Sequence, residues 1–291
     1  MRVHHINLCT MCPFGGRLLT GEGSIFEAGE LVIHALVAET KDGLVLVDTG
    51  FGLADIRDAA KRLGRSFLIG CRPRLREEDT AIRQIESLGF APKDVRHIVV
   101  THLDVDHAGG IADFPHAKIH VHRREQEAAM SRSTFLEKER YRSAHWAHGP
   151  DWALHEEGGD KWFGFESAKA IGDDVVLVPL FGHTRGHCAV AVRAPEESGV
   201  EWLMHCGDAY FFHGQLAASP SCPPALASFQ RIMAVENAKR VANVERLREL
   251  HRDESSRIRM FSAHCPFEWR AITSTAPARE EHVNLDQAAA K

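Results

Sequence analysis

The stretch VRHIVVTHLDVDHAGG, residues 95–110, decides the fold of this chain. Its first six residues are mostly β-branched and apolar, which predicts a buried strand over 95–100. Four potential metal ligands then follow within six residues, namely His102, Asp104, Asp106 and His107. In an α/β protein, reactive side chains gather on loops at the carboxyl ends of strands. The stretch therefore predicts an α/β fold with a site at one edge of a sheet.

The composition of this loop points to a bound cation. The side-by-side carboxylates of Asp104 and Asp106 repel each other, and a divalent ion is the simplest way to offset that repulsion in a partly buried site. The pair Gly109 and Gly110 lets the backbone turn closely around the ligands. The alternative is that the aspartates only cap the start of a charged helix. The sequence favours the metal site over the helix cap.

Strands and helices alternate on both sides of the loop. Short apolar runs predict strands over 31–39, 44–48, 117–121, 175–179, 187–192, 201–206 and 257–261. Helical periodicity predicts helices over 77–88, 123–130 and 226–251. Each half of the chain is therefore expected to contain a sheet.

The segment 131–170 breaks this alternation. It is charged and carries a set of aromatic residues, Trp146, Trp152, Trp162, Phe163 and Phe165. We predict an insertion whose aromatic side chains either pack in the core or form a lid or wall of the site. Residues 1–270 are expected to form one domain that includes this insertion, and 271–291 a loosely held tail.

Further polar residues follow other predicted strands. Asp48 ends the strand 44–48, and His183 lies in GHTRGH, residues 182–187, after the strand 175–179. Asp208 and His264 each follow a later strand. Because strand ends of this kind meet at one edge of a sheet, these residues are expected to join the cluster of the 101–110 loop.

Together these motifs resemble the metallo-β-lactamase superfamily, whose members carry an HxHxDH loop, a preceding strand-terminal Asp, and later His, Asp and His residues in that order. The order matches from about residue 31 to residue 267. The resemblance implies an αββα sandwich of two mixed β-sheets flanked by helices. It also implies that Asp48 orients the loop and that Asp208 bridges two metal ions. The metal ligands it implies are His102, Asp104, Asp106, His107, His183, Asp208 and His264.

The chain departs from the family pattern at Asp104, which stands where HxHxDH has its second histidine. If Asp104 coordinates, His102, Asp104 and His183 would hold one ion. Asp106, His107 and His264 would hold the other, with Asp208 shared. We expect two divalent ions, Zn²⁺ first, with Mn²⁺ or Fe²⁺ better tolerated because an oxygen donor replaces imidazole. The opposing hypothesis is that Asp104 is too short and the first site is weak.

The resemblance is strongest to acyl-homoserine lactonases and pyridoxolactonase-like enzymes. It implies a metal-dependent hydrolase that uses a metal-bound hydroxide on an ester-like bond, a lactone above all. Asp106, Asp208 and Tyr210 are the candidate catalytic residues. Asp208 or a metal-bound water would relay a proton, and Tyr210 would contact the substrate carbonyl or form the pocket wall. The alternatives are a phosphoester or phosphotriester hydrolase, a non-haem iron oxygenase or redox protein, and a metal-binding protein without catalysis. His187 is expected to support the ligands rather than to bind metal.

Composition restricts the remaining classes. The chain is 44% hydrophobic and 26% charged, as in soluble globular proteins, and its net charge of -5 comes without the basic stripe of a nucleic-acid-binding protein. It has no signal-peptide start and no apolar run of membrane-spanning length, so we expect a cytoplasmic protein that acts on a small molecule, with a homodimer left open. The seven cysteines do not suggest a disulfide framework, and Cys9 and Cys12 are expected in a plain loop.

Overall fold

The structure, a computed structural model, describes residues 1–158, 161–195 and 199–274. The strands in these ranges are β1 (Val3–Met11), β2 (Leu31–Thr40), β3 (Gly43–Val47), β4 (Val95–Val99), β5 (Lys118–His122), β6 (Asp151–His155), β7 (Ala168–Ile171), β8 (Val175–Pro179), β9 (Cys188–Arg193), β10 (Trp202–His205) and β11 (Ile258–Phe261). The α-helices are α1 (Gly16–Thr20), α2 (Leu53–Arg57), α3 (Ala59–Arg62), α4 (Arg65–Cys71), α5 (Ala81–Ser87), α6 (Val105–Ala108), α7 (Arg123–Ser131), α8 (Phe135–Arg140), α9 (Pro224–Met233), α10 (Asn237–Glu254) and α11 (Pro266–Thr273).

The strands form two mixed sheets. The first has the order β1-β2-β3-β4-β5-β6, antiparallel from β1 to β3 and parallel from β3 to β6. The second has the order β11-β10-β9-β8-β7, and only its β10 and β11 pair is parallel. Parallel neighbours end at the same edge of a sheet, so β3 and β4 deliver their following loops to one place, as do β10 and β11.

Both faces of the sheets are buried. In β3, Leu44 and Leu46 pack into the core beneath the helices of the first half, whereas Val45 and Val47 pack into the core between the two sheets. β9 alternates in the same way between the inter-sheet core and a third core under α10. Successive side chains of a strand point to opposite faces of its sheet, and in these strands the side chains on both faces are apolar. The result is the predicted αββα sandwich, with helices on the outside of two packed sheets.

The segment 131–170 differs from the predicted irregular insertion. It contains α8, and it contains β6, which pairs with β5 to complete the first sheet. The β6 sequence DWALH has none of the β-branched residues that mark a strand, so only pairing with β5 reveals it. Trp146 and Trp162 are buried, and Trp162 packs edge-on against Trp202 of the second sheet. Core packing therefore accounts for these two tryptophans.

Two boundaries and one strand also differ from prediction. The helix expected over 226–251 is two helices, α9 and α10, separated by an extended turn at 234–236. The edge strand β1 was not predicted, because its polar residues mask the alternation. α11 continues to Thr273, past the expected domain end at 270, and residues 275–291 of the predicted tail lie outside the described residues. In the described part of the chain, no helix is long and apolar enough to cross a membrane.

Candidate metal centre

Four loops bring the candidate ligands together. They follow β4, β8, β10 and β11, and backbone hydrogen bonds join them in pairs. The N–H of Cys188 donates to the carbonyl of Thr101 (2.9 Å), and the N–H of Ala263 donates to the carbonyl of Gly207 (3.1 Å). The two sheets therefore fix the relative positions of the loops, and all seven predicted ligands lie in one buried cluster.

The first group of ligand atoms belongs to His102, Asp104, His183 and Asp208. Nε2 of His183 lies 3.2 Å from Oδ2 of Asp104 and 3.3 Å from Oδ2 of Asp208. Nε2 of His102 lies 3.4 Å from the same Asp104 oxygen. Ligand atoms at 2.0–2.2 Å from a tetrahedral zinc ion are about 3.3 Å apart, so this spacing suits such an ion.

The second group belongs to Asp106, His107 and His264. Nε2 of His264 lies 3.5 Å from Oδ2 of Asp106 and 3.1 Å from Oδ1 of Asp208. Nε2 of His107 lies 3.3 Å from that same Asp208 oxygen. Asp208 thus faces the first group with Oδ2 and the second group with Oδ1, which is the arrangement of a carboxylate shared between two sites.

Asp48 orients the loop that carries the ligands. Its carboxylate accepts hydrogen bonds from the Thr101 N–H, the Thr101 hydroxyl and Nδ1 of His107, each at 2.8 Å. The Thr101 hydroxyl in turn lies 2.9 Å from Nδ1 of His102. With Nδ1 engaged in this way, the Nε2 atoms of both histidines are left to face the ligand groups.

The carboxylates make the centre strongly negative. Burial alone lowers the pKa of His107, but Asp208, Asp106 and Asp48 raise it well above its usual value. Burial alone raises the pKa of Asp48, but His107 lowers it to about 2. A centre of this charge attracts a proton or a metal cation, and the two compete for the same nitrogen and oxygen atoms.

Two further contacts fix ligands from behind. Nδ1 of His264 donates to the carbonyl of Val32 in β2 (2.8 Å). Nε2 of His187 accepts the N–H of Asp208 (2.9 Å), and its Nδ1 donates to the carbonyl of Leu180 (3.1 Å). Both ring nitrogens of His187 are therefore used, which agrees with the prediction that it supports the ligands.

Glu125, which the sequence reasoning missed, joins two ligand loops. This fully buried carboxylate accepts hydrogen bonds from the Leu103 N–H (3.0 Å), the Tyr141 hydroxyl (3.0 Å), the Thr184 hydroxyl (2.6 Å) and the Gly186 N–H (2.9 Å). Gly186 must be glycine here, because a Cβ atom would lie 2.2 Å from the backbone nitrogen of Glu125. In the sequence, the one feature that could have pointed to Glu125 is its place as a charged residue in a helix that follows a buried strand.

We expect Glu125→Ala to lower the free energy of unfolding by at least about 3 kcal/mol, since several buried donors lose their acceptor at about 1–3 kcal/mol each. Urea titration followed by circular dichroism measures the change. Glu127→Ala, an exposed glutamate on the same helix, is the control and should change it by less than about 0.5 kcal/mol. Equal losses in the two variants would contradict the role given to Glu125.

Two predicted features lie apart from the ligand groups. Tyr210 is fully buried, and its hydroxyl donates to Oε1 of Glu268 (2.9 Å), so it packs in the core under the site rather than presenting its hydroxyl to the ligand groups. Cys9 lies in β1 and not in the predicted loop, and its thiol donates to the carbonyl of Arg74; Cys12 follows the end of that strand. Neither thiol belongs to a ligand group in the described part of the chain.

The burial of Glu268 beneath the site predicts a pH effect on stability. Burial raises the pKa of Glu268 to about 7, against the hydrogen bonds from the Ser262 N–H and the Tyr210 hydroxyl. A carboxyl whose pKa is higher in the folded state stabilises the fold below its ordinary pKa, and that contribution disappears as the pH rises to about 7. Urea titrations at about pH 5 and about pH 8 should therefore show a smaller loss of stability in Glu268→Gln than in wild type. Equal losses of stability in Glu268→Gln and wild type would contradict the raised pKa of Glu268. The control is Glu249→Gln, a substitution of an exposed glutamate, which should lose as much stability as wild type.

The fold and the two ligand groups are those of a metal-dependent hydrolase built on an αββα sandwich. The sequence profile of the metallo-β-lactamase superfamily matches residues 28–250. The chain belongs to this superfamily. A probable metallo-hydrolase of Mycobacterium tuberculosis is 43% identical over 279 residues, which cover 95% of this chain and 84% of the relative.

Lactonases are among the other similar proteins. An N-acyl homoserine lactonase of Bacillus thuringiensis is 32% identical over 130 residues, 42% of this chain and 52% of that enzyme. A solved N-acyl homoserine lactone hydrolase, with N-hexanoyl-L-homoserine at its catalytic metal centre, superposes with a TM-score of 0.69 at 20% identity, covering 92% of this chain and 95% of that one. A dizinc quorum-quenching lactonase superposes with a TM-score of 0.59 at 16% identity, covering 91% and 87%. At these identities the two solved structures establish the shared fold.

Proposed function

We propose that the cluster holds two divalent metal ions and that the protein hydrolyses lactones. His102, Asp104, His183 and Asp208 would hold one ion, and Asp106, His107, His264 and Asp208 the other. The observation that carries the proposal is the position of Asp208, whose two oxygens face the two groups at 3.1–3.8 Å from histidine nitrogens. A carboxylate shared between two sets of ligands can hold two ions a few ångströms apart, as in a two-metal hydrolytic site.

The residues present suit such ions. Nε2 of His102 and Oδ1 of Asp208 are buried without a hydrogen-bond partner in the described part of the chain. A buried polar atom without a partner is costly, and here these atoms belong to residues that face one another. Imidazole nitrogens with carboxylate oxygens form a donor set that suits zinc. We propose Zn²⁺ as the ion, with Mn²⁺ and Fe²⁺ tolerated because Asp104 adds an oxygen donor.

Bound ions would lower the pKa of a water molecule towards neutrality and polarise the substrate carbonyl. The chain supplies the rest of the chemistry. The bonds from Asp48 and Thr101 hold the ligand imidazoles in the tautomer with Nε2 free. Asp208, or a metal-bound water, would accept a proton from the attacking water and return it to the ring oxygen as the ester bond breaks, giving a hydroxy acid. Asp106 serves as ligand and local charge, and Tyr210, which packs in the core under the site, takes no part in the proposed reaction.

The lactone substrate rests on similarity to the lactonases. The Bacillus thuringiensis enzyme aligns with less than half of this chain, but the solved lactonase structures superpose over about nine tenths of it. Neither similarity identifies the acyl group or the ring size. We therefore propose the class of cyclic esters rather than a single compound.

A substrate panel tests this function. It contains N-acyl homoserine lactones, unsubstituted γ- and δ-lactones, aryl esters, phosphotriesters and a β-lactam, each assayed with zinc and with manganese. We expect a lactone to give the highest kcat/KM, and we expect a chelator to abolish the activity and added metal to restore it. Faster turnover of phosphotriesters than of every lactone would overturn the proposal. Oxygen consumption with a thiol substrate and iron would instead support the oxygenase alternative.

A further inference from the structure

A buried arginine lies directly against the unusual ligand Asp104. Arg140 is the last residue of α8, and its Nε is 3.4 Å from Oδ1 of Asp104. The guanidinium also donates to the carbonyl of His183 (3.1 Å) and to the carbonyl of Met233 (2.5 Å). Its side chain is about 1% exposed. A buried cation therefore stands beside the first ligand group and is held there from two other sides.

The two oxygens of Asp104 face different partners. Oδ2 faces His102 and His183 at 3.4 Å and 3.2 Å, as a metal ligand would. Oδ1 faces Arg140. Arg140 thus pairs with one carboxylate oxygen of Asp104 and leaves the other directed at the ligand group.

The charges of the pair cancel. Where the family motif has a neutral imidazole, this chain has a carboxylate of charge -1 and a guanidinium of charge +1. We propose that Arg140 is a positioning residue for the metal centre and that Asp104 and Arg140 together replace one neutral histidine ligand. This inference rests on the proposed metal site. It explains how a third carboxylate fits into the centre without adding net negative charge.

α8 is built to hold the guanidinium in place. The helix starts with a capping box between Thr134 and Glu137. Glu137 is buried and also pairs with Arg185 of the GHTRGH loop, at 2.5 Å. α8 therefore binds the loop that carries His183 at two points, through Arg140 and through Glu137. Arg140 is therefore a buried part of the interface between α8 and this loop, and not a surface residue near the site.

The proposal predicts that the effects of changing the two residues compensate each other. Asp104→His alone leaves the buried guanidinium unpaired next to a neutral ligand and close to the ion, which should weaken zinc binding about 10-fold to 100-fold. Arg140→Gln removes the charge and keeps an amide that can donate to the carbonyls of His183 and Met233. The double variant Asp104→His/Arg140→Gln should therefore bind zinc at least about 10-fold more tightly than Asp104→His alone.

Competition between protein and a chromophoric chelator for zinc measures these dissociation constants without any assay of turnover. Arg185→Gln in the Asp104→His background is the matched control, because it breaks an ion pair on the same loop without touching Asp104, and it should give no rescue. Asp104→Asn, which preserves size, replaces Asp104→His if the imidazole variant does not fold, and the same rescue by Arg140→Gln is expected.

The outcomes separate this inference from the proposed function. Zinc binding to wild type with rescue by Arg140→Gln, and none by Arg185→Gln, supports the paired role. Zinc binding to wild type with a double variant no tighter than Asp104→His alone overturns the role of Arg140 and leaves the metal centre standing. Failure of wild type to bind zinc, manganese or iron(II) overturns both.

Discussion

Asp208→Ala is expected to lower the kcat/KM for lactone hydrolysis by about 10³-fold or more. Asp208 faces both ligand groups, so its loss removes a ligand from each ion at once. Metal ions contribute several kcal/mol of transition-state stabilisation, and about 1.4 kcal/mol corresponds to tenfold in rate. The bound metal, measured by elemental analysis after gel filtration, should fall along with the activity.

The control for this variant is Asp42→Ala. Asp42 is an exposed aspartate in the turn between β2 and β3, so its removal should leave metal content and kcat/KM within about twofold of wild type. If Asp208→Ala keeps the full metal content and most of its activity, Asp208 does not bridge the two groups.

Asp48→Asn is expected to weaken zinc binding by the second ligand group about 10-fold to 100-fold. Asparagine suits the positive φ of 59° at this position, so the backbone can persist. Its amide nitrogen, however, cannot accept from Nδ1 of His107, as the carboxylate does at 2.8 Å. The ring would then favour the tautomer with the proton on Nε2, the atom that faces Asp208. Chelator competition with zinc measures the effect.

Asp55→Asn is the matched control for this prediction. Asp55 is also a buried aspartate that bonds to a histidine, Nε2 of His145 at 3.0 Å, and to Nε of Arg62 at 2.6 Å. It belongs to neither ligand group. Its substitution should lower stability but leave zinc affinity unchanged. Equal losses of zinc affinity in both variants would mean that general destabilisation, and not the tautomer of His107, is responsible.

The ligands of the site could be predicted from the sequence because strand ends are local signals. An apolar run followed by polar residues marks the end of a strand, and the alternation of strands and helices indicates which ends meet. His102, Asp208 and His264 could be identified in this way although they lie far apart in the chain. For the same reason the two-sheet fold followed from short apolar runs on both sides of the 95–110 stretch.

Asp48 and His187 were predicted to support the ligands, but Glu125 and Arg140 could not be, because tertiary contacts alone define their roles. Glu125 and Arg140 lie on helices and look like ordinary charged surface residues in the sequence. Only folding brings them against Leu103, Asp104 and the 182–187 loop. Tyr210 shows the converse, because its position near Asp208 in sequence suggested chemistry, whereas its hydroxyl packs against Glu268.

Elemental analysis of wild type, expressed and purified without added metal, tests the two-ion centre most directly. We expect two divalent ions per chain, with zinc the most abundant, and we expect lactone hydrolysis to fall in proportion as a chelator removes them. One ion per chain or none, or a lactonase activity that survives complete removal of metal, would contradict the two-ion centre.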